Sequence, residues 1–134
     1  ATRMVTIDIF IDDQLIHSLR GDGVVVGTPT GSTAYLLSTG SPIVMPTVEC
    51  IILCGINEFR FAARALVIDA GKTVRLRVND DSRERSLFVC HDGRDRHDAG
   101  PGDELIIRRH ENKARLIFFE PDYFFSNLKA RLNW

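Results

Sequence analysis

The stretch Gly21-Asp22-Gly23-Val24-Val25-Val26-Gly27-Thr28-Pro29-Thr30-Gly31-Ser32-Thr33-Ala34-Tyr35-Leu36-Leu37-Ser38 decides how the chain is read. Three consecutive valines between glycines have the composition of a short strand buried on both faces. The Gly, Pro and Thr residues that follow make a tight turn, and Ser32–Ser38 (STAYLLS) reads as the opening of a short helix. Glycines let a backbone approach a ligand closely, and hydroxyls with free N–H groups converge at such a helix start. That combination can hold a phosphate or a sugar hydroxyl, with Thr30, Gly31 and Ser32 as the candidate phosphate or turn contacts. The standard nucleotide motifs do not fit. A P-loop needs four residues between its glycines and then Lys, whereas Gly27 and Gly31 are separated by three and followed by Ser32. Gly21, Gly23 and Gly27 give one residue too many for the G-x-G-x-x-G fingerprint. On the residues alone, a ligand loop and a strand-to-helix turn with a capping hydroxyl are equally good accounts.

On either side the pattern is β. Val5, Ile7, Ile9 and Ile11 alternate with Thr6, Asp8, Phe10 and Asp12, and Asp12-Asp13-Gln14 can turn the chain into a second arm over Leu15–Leu19. Cys50–Leu53, Leu66–Ile68, Val74–Val78, Leu87–Cys90, Leu105–Ile107 and Arg115–Phe119 are further strand candidates. Arg94–Asp98 and Asp80–Arg85 read as solvated turns. Pro121-Asp122 precedes Tyr123–Leu132, where Phe124, Phe125, Leu128 and Leu132 fall at helical spacing. Asp122 is placed to cap that helix, and Lys129 and Arg131 suit its C-terminal end. The fold expected is mainly β: an antiparallel β-sandwich of about eight to ten strands, with a short helix after the GTPTGSTAY turn and a C-terminal helix.

Composition narrows the functions. A length of 134 residues with 44% hydrophobic residues suits one globular domain. Seventeen basic against eighteen acidic residues leave no basic footprint for nucleic acid. No apolar run approaches a membrane span, the N-terminus lacks a signal-peptide core, and three cysteines fit a reducing compartment, so a cytoplasmic location is expected. Cys50 and Cys54 lie four apart, whereas zinc sites more often use C-x₂-C. These two and Cys90 sit in apolar runs and read as small buried hydrophobes, with no metal ligands assigned. His17, His97 and His110 have polar neighbours and read as surface imidazoles.

The run from Gly21 to Ser38, closing with Pro42-Ile43-Val44 and Pro46, resembles the long signature of NAD kinases, approximately D-G-x-x-x-x-T-P-T-G-S-T-A-Y-x-x-S and then G-G-P-I-x-x-P. Arg64-Ala65-Leu66-Val67 resembles the family's R-P-L-V. His91-Asp92-Gly93 falls at a family Asp-Gly turn, and Pro101-Gly102-Asp103 precedes a strand as in the family. Phe124-Phe125 through Trp134 is similar to its C-terminal helix. The resemblance spans essentially all 134 residues. Departures are Ser41 for Gly, Met45 for His, Ala65 for Pro, and Gly55–Arg60 in place of a segment containing C-P-H. They bear on nucleotide preference and subunit contacts.

The resemblance implies that residues 1–134 are the C-terminal, NAD-binding sandwich domain of an enzyme that moves a phosphoryl group from ATP or polyphosphate to the 2′-hydroxyl of the NAD adenosine ribose. It implies that Asp22, Thr33, Ala34, Tyr35 and Ser38 surround the dinucleotide, with Asp22 otherwise a turn residue and Tyr35 otherwise core. It implies no catalytic residue here. The family's aspartate base belongs to a G-G-D-G motif of an N-terminal α/β domain, followed by an N-E pair, and the G-G-D-G motif does not occur in this chain. The complete enzyme is expected to use a divalent metal ion such as Mg, with no covalently bound cofactor. The expected partners are NAD or NADP, the N-terminal kinase domain, and further copies in a homodimer or homotetramer. Residues 121–134 are expected to dock on that domain or on a partner subunit. The alternative is a non-catalytic sandwich module of the same superfamily that binds a nucleotide or a partner.

Overall fold

The computed structural model describes residues 4–59 and 64–134, so the first three residues and Arg60 of the 55–60 departure lie outside the described residues. Val5, Ile7 and Ile9 are buried along β1 (Val5–Ile11), as a period of two dictates for a strand with one core face. Asp12 and Asp13 take φ of 46° and 66°. That left-handed pair makes a two-residue type I′ hairpin, and the chain returns antiparallel as β2 (Gln14–Gly21). Ile9 faces His17 and Phe10 faces Leu15, which leaves Ile16 over as a bulge in β2. β6 (Val74–Val78) pairs with the other side of β1, and β9 (Glu104–Ile107) with β6. The result is an antiparallel sheet of order β2-β1-β6-β9.

A second antiparallel sheet holds β3 (Gly23–Gly27), β4 (Cys50–Ile56) and β5 (Leu66–Asp69), with β4 in the middle. Ile51 and Leu53 of β4 pack with Val5, Ile7, Ile9, Leu19 and Val74 of the first sheet, so the two sheets share one core as a sandwich. The other face of β4 is also dry. Cys50, Ile52 and Cys54 pack with Leu36 of the short helix α1 (Tyr35–Ser38), which a 3₁₀ turn, Thr30–Thr33, introduces. Val24–Val26, expected to be buried on both faces, are half-buried. β3 is an edge strand of its sheet, and the double burial falls on central β4 instead. A Cβ at Gly27 would lie 2.6 Å from Leu36 Cδ1, so glycine is what lets α1 close onto β3.

β7 (Leu87–His91) and β8 (Arg94–Ala99) form a separate antiparallel ribbon. Asp92 and Gly93, at φ of 49° and 70°, are its turn. Arg94–Asp98, expected as a solvated turn, is therefore strand. Its side chains are exposed, so no alternation of hydrophobicity marked it, and backbone pairing with β7 makes it a strand. Cys90, expected to be buried, is exposed. The period of two turns Leu87 and Val89 inward and leaves Phe88 and Cys90 outside, where the Arg96 guanidinium lies 4.2 Å over the Phe88 ring.

Arg115–Phe119, expected as a last strand, is not a strand. A strand exists through a neighbour's hydrogen bonds, and this apolar run pairs with no strand among the described residues. Ile117 is 84% exposed and Phe119 98%. Nine strands among the described residues fall within the expected eight to ten. α2 (Tyr123–Leu132) has the expected bounds, with Leu128 buried and Lys129 and Arg131 in its last turn. Asp122 stands at its N-cap, but its side chain makes no capping bond, and its carbonyl accepts from Ser126 N at 3.0 Å. Asn133, at φ 56°, ends the helix, with Trp134 N donating to Lys129 O at 3.1 Å. No helix among the described residues is long and apolar enough to cross a membrane.

Two polar ties hold connections in place. Asp8, which the alternation put on the outer face of β1, is buried. It accepts from Ser18 Oγ at 2.6 Å and Asn79 Nδ2 at 3.0 Å, while Thr6 N donates to buried Ser82 Oγ at 3.1 Å. The 79–84 connection is thus tied to β1 through Asn79 and Ser82, while Asp80, Asp81, Arg83 and Arg85 are exposed, as the solvated-turn reading of Asp80–Arg85 expects. Glu49, just before β4, accepts from Lys113 Nζ and from Arg109 Nη1 (3.2 Å), fastening the chain that leaves β9. The Lys113 hydrogen bond and charge, aided by Arg109, hold the Glu49 carboxyl below its ordinary 4.5.

Two outcomes follow from this packing. Ile52→Ala removes a side chain with no exposure and costs about 2–5 kcal/mol in denaturant unfolding. For Glu49 the folded value is depressed, so its contribution is present above 4.5 and is lost as pH falls through the lowered value. Glu49→Gln therefore melts lower than wild type at neutral pH, and the gap closes in strong acid and in high salt, as scanning calorimetry across pH reads directly.

Candidate functional site

The turn after β3 is built from its own hydroxyls. Ser32 has no exposure, and its Oγ donates to Pro29 O at 2.6 Å and accepts from Val44 N at 3.0 Å. This candidate phosphate contact is thus committed inside the fold, stitching the turn to the 41–46 stretch. Thr30 is exposed, and its carbonyl accepts from half-buried Thr33 Oγ1 at 3.3 Å. Gly31 N donates weakly to Thr28 Oγ1 at 3.4 Å. Ala34 is exposed at the junction of the 3₁₀ turn and α1, its N–H donating to Gly31 O at 3.0 Å.

Within α1 the roles of neighbours separate. Leu36 points into the core, whereas Tyr35 is 58% exposed, so the core reading of Tyr35 does not hold. Ser38 is exposed, and its Oγ donates to Tyr35 O at 2.7 Å. Tyr35, Ser38 and Thr39 form one wall of a cavity of about 190 Å³, and Gly55, Ile56 and Asn57 at the end of β4 form the other. Asp22 stands beside that second wall. Its N–H donates to Ile56 O at 2.8 Å, and its Oδ2 accepts from Asn57 Nδ2 at 2.8 Å.

The structure therefore brings Tyr35 and Ser38 together with Asp22 through the β4 end, while Thr30, Gly31 and Ser32 do not line the cavity. Thr33 and Ala34 precede Tyr35 without lining it. Thr39, Gly55, Ile56 and Asn57 line the cavity and were not among the site residues that sequence reasoning singled out. The available signal was the unusual 55–60 segment, which marked the place without giving a partner. A larger cavity of about 250 Å³ lies among Asp12, Asp13, Thr73, Arg75 and Ile106. Its Arg75 is already paired with Glu104 (2.9 Å), Asp13 (3.8 Å) and the Phe10 face (3.9 Å).

No group of three or more His, Cys, Asp or Glu converges among the described residues. Cys50 and Cys54 lie in the apolar layer beneath α1, where burial raises the Cys50 thiol above its ordinary value and suits it to packing rather than reaction. His17 is half-exposed and donates to Glu58, whose side chain is 7% exposed.

The sequence pattern of the ATP-NAD kinase C-terminal domain matches residues 1–119. The chain belongs to that family. It is 38% identical over 131 residues to the NAD kinase of Tolumonas auensis, covering 98% of this chain and 45% of that protein. It is 37% identical over 127 residues to the bifunctional NADP phosphatase/NAD kinase of Methanococcus maripaludis, covering 95% of this chain and 21% of that one. Among solved structures it superposes on an NAD kinase from Archaeoglobus fulgidus in complex with ATP, with TM-score 0.81 and 29% identity over 98% of this chain and 49% of that one. A yeast NADH kinase complexed with NADH gives TM-score 0.72 and 32% identity over 79% of this chain and 30% of that one. The chain thus spans less than half the length of these NAD kinase relatives, and what it matches in them is the C-terminal sandwich domain.

The Ser32 geometry gives a direct expectation for this NAD kinase C-terminal domain. Ser32→Ala leaves the half-buried Val44 N–H without its acceptor and lowers stability by about 1 kcal/mol, measured by urea unfolding.

Proposed function

We propose that this chain is the dinucleotide-holding part of an NAD kinase. It grips NAD while a phosphoryl group passes from ATP or polyphosphate to the 2′-hydroxyl of the adenosine ribose. The observation that carries the reading is the cavity that joins Tyr35 and Ser38, from the signature run, to the β4 end that holds Asp22. Each group suits the task. The exposed Tyr35 ring offers a flat face for a base. The Asp22 carboxylate accepts from ribose hydroxyls or a carboxamide N–H. Ser38 Oγ has lone pairs beyond the proton it gives to Tyr35 O. Thr33 and Ala34 complete the approach to Tyr35.

The work of these residues is binding and orientation. Phosphoryl transfer depends on positioning and charge stabilisation, and a positioned base adds about 10²–10⁴-fold. In this reading the base lies in a G-G-D-G domain joined to the present one in the complete enzyme, and this chain contributes no catalytic group. The divalent metal and the ATP or polyphosphate donor are assigned to that complete enzyme as well. The described residues bring together no cluster that would hold the ion, so no step on this chain runs through it. The exposed apolar side chains of Leu116–Phe119, Phe125 and Trp134 suit docking against that domain or a partner subunit. A homodimer or homotetramer in which Tyr35 serves a neighbour's pocket, and a cytoplasmic location, complete the proposal.

NAD at a hundred times its dissociation constant should stabilise the chain by about 2.7 kcal/mol, a rise in melting temperature of several degrees. Asp22→Ala should weaken NAD binding at least about tenfold by calorimetry, close to 1.4 kcal/mol, without lowering the melting temperature of the free chain. No stabilisation by NAD or NADP would favour the non-catalytic module instead.

A further inference from the structure

Asn57 directly follows β4 at φ 47°, a left-handed conformation that Asn adopts more readily than most side chains. From there its amide donates to Asp22 Oδ2 at 2.8 Å, alongside the Asp22 N–H bond to Ile56 O at 2.8 Å. The short segment that carries it is strapped from the far side as well. Phe59 N donates to Arg20 O at 2.8 Å, and the nearly buried Glu58 carboxylate accepts from His17 Nε2. A Cβ at Gly21 would lie 2.7 Å from Ile56 O and 3.0 Å from Asn57 O, so the β2–β3 corner and this segment are in close backbone contact. Asn57 therefore stands on a backbone fixed on both sides, and it holds an exposed carboxylate that would otherwise turn freely.

We propose that Asn57 is the positioning residue for Asp22. Its amide occupies one carboxylate oxygen, so the other is presented in a fixed direction to a hydroxyl or carboxamide of the dinucleotide. This role rests on the dinucleotide reading of the site. Its physical content is preorganisation: a side chain ordered before binding does not have to be ordered by the ligand, which is worth about three- to tenfold in affinity. The role differs from a direct contact of Asn57 with the ligand, because it acts only while the Asp22 carboxylate is present.

A double-mutant cycle on NAD affinity tests it. Asn57→Gly tolerates the left-handed backbone and removes the side chain with its amide donor, so it should weaken binding about three- to tenfold. On an Asp22→Ala background the same change should have no further effect. Asn57→Asp, which sets two carboxylates against each other, should weaken binding more, and Asp22→Asn combined with it should recover part of the loss. Wild-type affinity in Asn57→Gly, or an undiminished loss on the Asp22→Ala background, overturns the role while leaving the dinucleotide reading intact. Absence of NAD binding by the wild-type chain overturns the dinucleotide reading and, with it, the role.

Discussion

Central strand β4 is packed on both faces, and the other elements are arranged by that constraint. Ile51 and Leu53 are in the core between the sheets, while Cys50, Ile52 and Cys54 are covered by Leu36 of α1. A strand buried on two sides needs a layer above and a layer below. The lower layer is the four-stranded sheet. The upper layer is supplied by Leu36 of the four-residue helix together with Val44 and Ala65, and Ser32 ties the turn leading into that helix to Val44. Burial of β4 also positions the cavity, since the strand ends at Ile56 and leads into Asn57 beside α1.

Close backbone approach is the second theme. Gly21, Gly27 and Gly55 stand where a Cβ would lie 2.6–2.7 Å from a neighbour. At Gly27 the neighbour is a helix side chain, at Gly55 the Leu19 methyl, and at Gly21 the Ile56 carbonyl. These contacts draw the signature run, the β2–β3 corner and the β4 end within reach of one another. A polar surface is thereby assembled from segments as much as thirty-five positions apart. An anionic dinucleotide held here would be held by hydroxyls, amides and an aromatic face.

Much of this was legible in the residues. The period of two in Val5–Ile11, the Asp12-Asp13 and Asp92-Gly93 turns and the bounds of α2 all follow from local chemistry. The signature run marked Tyr35 and Ser38. What escaped depended on neighbours far away in the chain. β8 has no hydrophobic alternation and is a strand through pairing alone. Arg115–Phe119 has the composition of a strand but no partner strand among the described residues. Asp8 looked like an outward position until Ser18 and Asn79 enclosed it. Asn57 carried no local mark of its link to Asp22, because that link spans thirty-five positions.

The bulge at Ile16 has a consequence for association. β2 is the outer strand of the four-stranded sheet, and Leu15 and Ile16 there are exposed. A long, flat, apolar edge would be an open template for another chain's backbone. The extra residue breaks the even spacing of free N–H and C=O groups and adds local twist, so a foreign strand cannot run in register along the whole edge. Edge-to-edge pairing through β2 is thereby disfavoured.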